Sequence, residues 1–363
     1  MEYGNSSRNT ERVRTEGRPV TVALDQAVFH QTGAGLSVPF AIAGTGMHLP
    51  PTVVSNQELT LTLDTSDEWI TSRTGIRERR RLDPLLATSD MCVAAARPAL
   101  DAAGLEPAQL DAVIVATYTG DQPLLSTALI VKDALGAHRA LSLDVTQAAC
   151  ASGIQAMLIA AHLLMNPSIT TILVLAADCA SRITDPTDRT TGVFFGDAAA
   201  AVVLTRADTP GAGLLSYDLG SRLSYDVQIP AGGSRLPAST ATVAAGEHYL
   251  SMDGRAVWNA ATTRLPESIT SAAQRAGVPI DQVRHFFLHQ ANLNILTEAM
   301  AALGVPRERA PITIDRLGNT GSAGLFTALH TTVTEGSLLP GDIYVLSGIG
   351  AGFQWGTLCL RHA

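Results

Sequence analysis

Charged residues are scarce in this chain, at 16% of 363 positions, and aromatic residues are scarcer still at 5%. So few aromatics remove the stacking platform on which single-stranded nucleic acids are held. Basic clusters are also lacking. The densest run, Arg77, Arg79, Arg80 and Arg81, is short and broken by Glu78, and the net charge is −8. Together these exclude a nucleic-acid partner. The four cysteines, Cys92, Cys150, Cys179 and Cys359, show no CxxC spacing. That argues against a metal site or a disulfide framework and fits a reducing cytoplasm. The opening MEYGNSSRNTERVRTEGR has no apolar core of the kind a secretory signal needs. The longest nearly uncharged apolar stretch, Ala148 to Met165, contains Ser152, Gln155 and His162. A membrane span demands about 20 predominantly apolar residues, so the stretch predicts a buried helix. A soluble protein with no membrane partner is expected.

What the chain does have is apolar and small: 46% hydrophobic residues and 31 glycines. Short β-rich runs alternate with helical patterns, which predicts an α/β sheet protein. Strands are expected at Phe40–Gly44, Ala112–Thr117, Leu141–Val145, Ile172–Ala176, Ala199–Leu204, His285–Leu288 and Ile343–Ser347. The pattern is written twice. AAGLEPAQLDAVIVAT (102–117) parallels RAGVPIDQVRHFFLHQ (275–290), with Gly104 on Gly277 and Gln109 on Gln282, an offset of 173 (277−104 and 282−109). Each copy reads as a helix closed by glycine, a short loop with a proline and a buried strand. SLDVTQ (142–147) then parallels TIDRLG (313–318), and FGDAAAAVVL (195–204) parallels WGTLCL (355–360). We therefore expect an N-terminal extension over residues 1–37 and two similar halves, 38–210 and 211–363, packed in five layers.

Three residues sit where such a fold builds sites. Cys150 lies where strand Leu141–Val145 passes into a helix, amid Ala149, Ala151, Ser152 and Gly153. A helix start favours the thiolate, the reactive form of cysteine, although a small buried hydrophobe is the ordinary fate of a free thiol. Both readings remain open from the residues alone. Cys92, Cys179 and Cys359 fall within apolar patterns and read as core. His289 follows strand HFFL, at the carboxyl end where α/β sheets place ligands; His48, His162, His285 and His330 read as structural. Asn319 lies in the glycine-rich turn RLGNTGSAG, expected after a strand PITID. The stretch SGIGAGFQWG lacks the lysine-bearing helix of a P-loop, but such a turn can present backbone N–H groups to an oxyanion.

With these residues in place, the chain resembles a β-ketoacyl-acyl-carrier-protein synthase III, of the thiolase-fold condensing enzymes, a group with starter-unit members in secondary metabolism. The likeness runs from about Phe40 to Arg361 through AGTGMHLP, DTSDEWITSRTGIRERR, AACASG, DPTDRTTGVFFGD, HQANLNIL, GNTGSAG and GAGFQWG. It implies a five-layered α-β-α-β-α fold of two thiolase-like halves. It also implies that Cys150 takes an acyl group from acyl-CoA as a thioester. A malonyl thioester, usually on an acyl carrier protein, then loses carbon dioxide. His289 and the Asn319 amide hold the enolate, and the backbone N–H groups of Cys150 and Ala351 hold the later oxyanion. The same likeness assigns Trp69 and Arg189 to the adenine, Arg73 with Thr74 to phosphate, and Trp258 and Asn292 to the pantetheine tunnel. It places Leu124 at the gate of the acyl pocket. No cofactor is implied, since acyl-CoA is a substrate. The implied partners are acyl-CoA, an acyl carrier protein and a second copy in a homodimer.

The departures are informative. Asn259 and Asn294 stand where basic residues often flank the tunnel mouth, and the helix after HQAN carries only Glu298 as a charge. Long-range attraction for an acidic carrier is thereby weakened. GGGF reads Gly350-Ala351-Gly352-Phe353. Two other functions fit parts of the pattern. An acyltransferase passing the Cys150 acyl group to a hydroxyl or amine needs a base, which Asn319 does not supply and His289 can. A non-catalytic acyl-binding partner of a synthase would have lost the nucleophile, which is present. A thiolase would need a second active-site cysteine, and Cys359 lies past the glycine loop. A hydroxymethylglutaryl-CoA-type synthase would need a general-base Glu that has no counterpart in the motifs.

Overall fold

The computed structural model describes residues 29–32, 38–146, 148–209 and 211–363. The expected extension over 1–37 therefore lies outside the described residues, apart from β1 (Phe29–Thr32). The first half follows with β2 (Phe40–His48), α1 (Asp67–Thr74), α2 (Thr88–Ala103), β3 (Ala112–Ala116), α3 (Thr127–Leu135), β4 (Leu141–Val145), α4 (Ser152–Leu163), β5 (Thr171–Cys179) and β6 (Asp197–Arg206). The second half contributes β7 (Gly213–Ser221), α5 (Gly254–Arg275), β8 (Val283–Leu288), α6 (Leu293–Ala302), α7 (Gly324–Thr334), β9 (Ile343–Gly350) and β10 (Gln354–Arg361). The expected division at 210/211 falls in the link from β6 to β7.

Two five-stranded sheets result, ordered β2-β6-β5-β3-β4 and β1-β7-β10-β9-β8. β3 runs parallel to β4 and β5, and β8 parallel to β9, while the other neighbours are antiparallel. Every residue of β5 (TILVLAADC) is buried, as expected of a strand covered on both faces. Its alternation assigns the layers. Ile172 and Val174 point inward to Ile154 and Met157 of α4, Phe326 and Leu329 of α7, and Phe287 and Leu346 of the second sheet. Leu173 and Leu175 point outward to Met91, Ala95 and Ala99 of α2. On the far side Leu265, Ile269 and Leu296 of α5 and α6 cover Phe286 and Val345. The layers are thus helix, sheet, central helix pair, sheet, helix. Each buried Leu, Ile or Phe contributes roughly 1.5–3 kcal/mol.

The repeat is visible in the backbone. Gly104 and Gly277 close α2 and α5 with φ of +65° and +68°, each followed by a short 3-10 turn and then β3 or β8. In sheet order β2, β6, β5 and β3 correspond to β7, β10, β9 and β8. One expected correspondence fails. SLDVTQ forms β4, but the expected strand PITID does not form, and Ile314–Leu317 is a helical turn. Its start is held by a side chain: the N–H groups of Thr313 and Ile314 donate to the buried Gln290 Oε1 at 3.0 and 3.3 Å. With those donors satisfied by a side chain, no strand pairing is required. Among the described residues no helix is long and apolar enough to cross a membrane.

Candidate active site

Cys150, His289 and Asn319 line one cavity of about 340 Å³, with Ala351, Trp258 and Asn292 also on its wall. Each of the three comes from a different junction. Cys150 lies in the 3-10 turn Ala149–Ala151 that leads from β4 into α4. Ala149 takes φ +44°, a left-handed value that costs an L-residue roughly 1–2 kcal/mol. Opposite, Gly350 passes so close that a Cβ there would lie 1.9 Å from Ala148 O and 2.9 Å from Cys150 N. The glycine therefore lets β9 lie against the nucleophile's own backbone, which puts Ala351 beside it.

Asn319 is fixed by the first half. Its N–H donates to Phe194 O at 2.8 Å, and its carbonyl accepts from Gly196 N–H at 3.0 Å. Its Oδ1 accepts from Gly321 N–H at 3.0 Å. Because that partner is a donor, the oxygen assignment is forced, and Nδ2 is left as the group with hydrogens to offer. His289 follows β8, and its backbone N–H donates to Ser347 O at 2.9 Å. Its imidazole is buried, and its Nδ1 has no hydrogen-bond partner among the described residues. Burial pulls its pKa down to about 4, so the ring is neutral at pH 7. By contrast His285 is bound to Ser337 O and His330 to Thr45 Oγ1, as structural histidines are.

Burial works against the thiolate that a helix start favours. Burial pushes the Cys150 thiol up to about 12, and the carboxylate of Asp178 adds to the rise. Desolvation of the charged form outweighs the start of one helix. Burial thus favours the neutral thiol, beside a neutral imidazole that lines the same cavity. Cys92, Cys179 and Cys359 are buried, while Cys150 is only half-buried because it faces the cavity.

Of the residues assigned to CoA, Trp69 and Arg189 meet at the surface. The guanidinium lies 5.2 Å from the indole centroid, a stacking contact that a flat ring would have to part. Arg73 is exposed, and its carbonyl accepts from Asn292 Nδ2 at 3.0 Å and Asn294 Nδ2 at 2.9 Å. Thr74 does not belong with them. It is fully buried, and its hydroxyl donates to Ile70 O at 2.6 Å and accepts from Ile76 N–H at 3.0 Å. It finishes α1 instead of facing a ligand. Leu124 does not line the Cys150 cavity of its own chain: it is 85% exposed and lines a neighbouring cavity of about 490 Å³.

Two residues were not foreseen. Asp178 is fully buried, accepting from Thr117 Oγ1 and Thr119 Oγ1, Tyr118 N–H, and both N–H and hydroxyl of Ser322, at 2.7–3.1 Å. Burial raises its carboxyl to about 6, against the pull of those donors. Tyr118 lines the Cys150 cavity. Neither sits in a recognisable motif, and the only signal was a polar residue ending a fully apolar strand.

The two-half, five-layered fold with a cysteine at the first junction and His and Asn at the others defines a thiolase-fold condensing enzyme. Models of the 3-oxoacyl-[acyl-carrier-protein] synthase III family match residues 143–222 and, for its C-terminal part, 273–362. The chain is 42% identical over 325 residues to the β-ketoacyl-[acyl-carrier-protein] synthase III of Symbiobacterium thermophilum, covering 89% of this chain and 98% of that one. The crystal structure of the synthase III of Aquifex aeolicus superposes with a TM-score of 0.81 at 34% identity, covering 89% and 100%. That of the priming β-ketosynthase from the R1128 polyketide pathway does so at 0.82 and 31%, covering 90% and 98%. The chain belongs to the 3-oxoacyl-[acyl-carrier-protein] synthase III family and is an acyltransferase-class condensing enzyme.

Proposed function

We propose that the enzyme is primed by acyl-CoA on Cys150 and condenses that acyl group decarboxylatively with a malonyl thioester to a 3-oxoacyl product. The observation that carries this reading is the convergence of Cys150, His289 and Asn319 on one cavity. In the first half-reaction the Cys150 sulfur displaces CoA from the acyl carbonyl, and the thiol proton ends on the departing CoA thiolate. In the second, carbon dioxide leaves the malonyl unit. The enolate oxygen is held by Asn319 Nδ2 and by His289, which carries a proton on the nitrogen facing it. The carbanion attacks the thioester, whose oxygen is received by the N–H groups of Cys150 and Ala351; collapse breaks the carbon–sulfur bond, releasing the 3-oxoacyl product and the Cys150 thiolate, which takes up a proton. Trp69, Arg73 and Arg189 hold the nucleotide end of CoA, and Trp258 and Asn292 flank its pantetheine arm.

An acyl carrier protein is the malonyl donor in this reading, and two copies of the chain form the working unit. Edge strand β4 and the segment before it expose Leu125, Leu129 and Leu141, an apolar surface suited to an isologous contact.

The test separates the two half-reactions. Loading involves no enolate, so Asn319→Ala should retain most acyl-enzyme formation while losing decarboxylation by about 10²–10³. Single-turnover loading followed by release of labelled carbon dioxide measures both. A wild-type enzyme that loads but never releases carbon dioxide, from either CoA-bound or carrier-bound malonate, would instead be a plain acyltransferase.

A further inference from the structure

One buried carboxylate has no role in the steps assigned above. Asp178, near the end of β5, is fully buried and does not line the Cys150 cavity. Its partners are all donors. Oδ1 accepts from Thr117 Oγ1 at 3.0 Å, Tyr118 N–H at 3.0 Å and Thr119 Oγ1 at 3.1 Å. Oδ2 accepts from the N–H and the hydroxyl of Ser322, both at 2.7 Å. Each oxygen thus faces a backbone N–H, which cannot become an acceptor. An amide in this place would aim its NH2 at one of them whichever way it turned. The site is built for a carboxylate.

The turn it holds is the one that aims Asn319. Gly321 N–H donates to Asn319 Oδ1 at 3.0 Å, and that bond leaves Nδ2 as the group with hydrogens to offer. Gly321 takes φ +60°, and a Cβ there would collide with Asp178 Oδ2 and with the Tyr118 hydroxyl. The carboxylate therefore lies against the very residue whose N–H orients the amide, and it binds the next residue twice. We propose that Asp178 is a positioning residue for decarboxylation: by holding Ser322 and abutting Gly321, it fixes the turn that directs Asn319 Nδ2 at the enolate. This rests on the decarboxylative condensation proposed above. Asp178 touches no reacting atom and acts only through Asn319. Loading of Cys150 does not use that amide. Nor would removing the carboxylate make the thiol harder to ionise, since its charge is one of the causes that raise it. The two half-reactions should respond differently.

The experiment compares the full-length wild type, Asp178→Asn, Asn319→Ala and the double variant. Cys150 loading is read by intact-protein mass spectrometry with whichever of acetyl-, butyryl- or octanoyl-CoA loads wild type fastest. Decarboxylation is read as labelled carbon dioxide released from malonyl-CoA and from carrier-bound malonate. Asp178→Asn should keep the loading rate and the malonyl KM while its decarboxylation kcat falls about 10–100-fold, as misplacing a catalytic group does. In the Asn319→Ala background the same change should cost nothing further, because the group it positions is already gone. A folded Asp178→Asn with wild-type decarboxylation overturns the proposal. So does an equal fall in both half-reactions, or an undiminished loss in the Asn319→Ala background, either of which marks a merely structural role. Should Asp178→Asn not fold, Ser322→Ala removes one of the two bonds to the turn and should show the same selective loss, severalfold in size; its absence is equally decisive. A wild type that releases no carbon dioxide from either thioester overturns the condensation reading itself, which distinguishes the two failures.

Discussion

His289 shows how burial alone sets the chemistry of one residue. Its pKa is lowered to about 4 with no charged partner responsible. The unfolded chain binds a proton near pH 6.5, so between about 6.5 and 4 the unfolded state holds more protons than the native one. Stability is therefore full above pH 6.5 and is lost as pH falls toward 4, by up to about 3 kcal/mol for a shift of this size. Urea unfolding of wild type and His289→Asn at pH 7 and pH 4.5 measures it, and the variant should lose less on acidification. An equal loss in both proteins would assign the acid sensitivity to other groups. The three core residues of the site were legible because each stands in a motif where an element ends, a strand for Cys150 and His289 and a helical turn for Asn319. Thr74 was not, because being adjacent to Arg73 in sequence says nothing about which way a helix's last side chains turn. Tyr118 was invisible for a related reason: a tyrosine after strand AVIVA reads as an ordinary strand end until the cavity is seen behind it.

At the scale of elements, glycines report two different demands. Gly46 in β2 is needed for space: a Cβ would lie 2.2 Å from Ala95 O and 2.7 Å from Ala99 N, both backbone atoms of α2. Gly104 is needed for its φ of +65°, with nothing within 4 Å of a Cβ. Gly46→Ala must push α2 off the sheet and should cost about 1–3 kcal/mol or more. Gly104→Ala bears only left-handed strain and should cost about 1–2 kcal/mol. Denaturant midpoints compare them, and Gly46→Ala should be the more harmful. If it proves harmless, the close packing of α2 on β2 is wrong. The repeat was legible wherever glycine closed a helix before a strand. It misled at TIDRLG, where the apolar alternation resembles β4 but Gln290 satisfies the backbone from across the fold.

For the whole molecule, the prediction is an association state. The first sheet ends in β4, which pairs on one side only among the described residues, and Leu141 there is 48% exposed. Light scattering at micromolar concentration should give a dimer. Leu129→Asp with Leu141→Lys should shift it toward monomer, while a monomeric wild type would contradict the assignment. In the second sheet β1 lies along β7 and covers the opposite edge, the one that corresponds to β2, as natural sheets protect such edges.

The carboxylate of Asp178 has a wider consequence. It receives Thr117, Tyr118 and Thr119 from the first half and Ser322 from the second. Drawing the halves apart would remove both Ser322 donors from this carboxylate, and hydrogen bonds to a charged group are worth more than ordinary ones. The duplicated halves have thus surrendered their independence. Each carries its own sheet, yet neither is a unit that melts alone, and calorimetry should record one transition where the repeat in the sequence would suggest two.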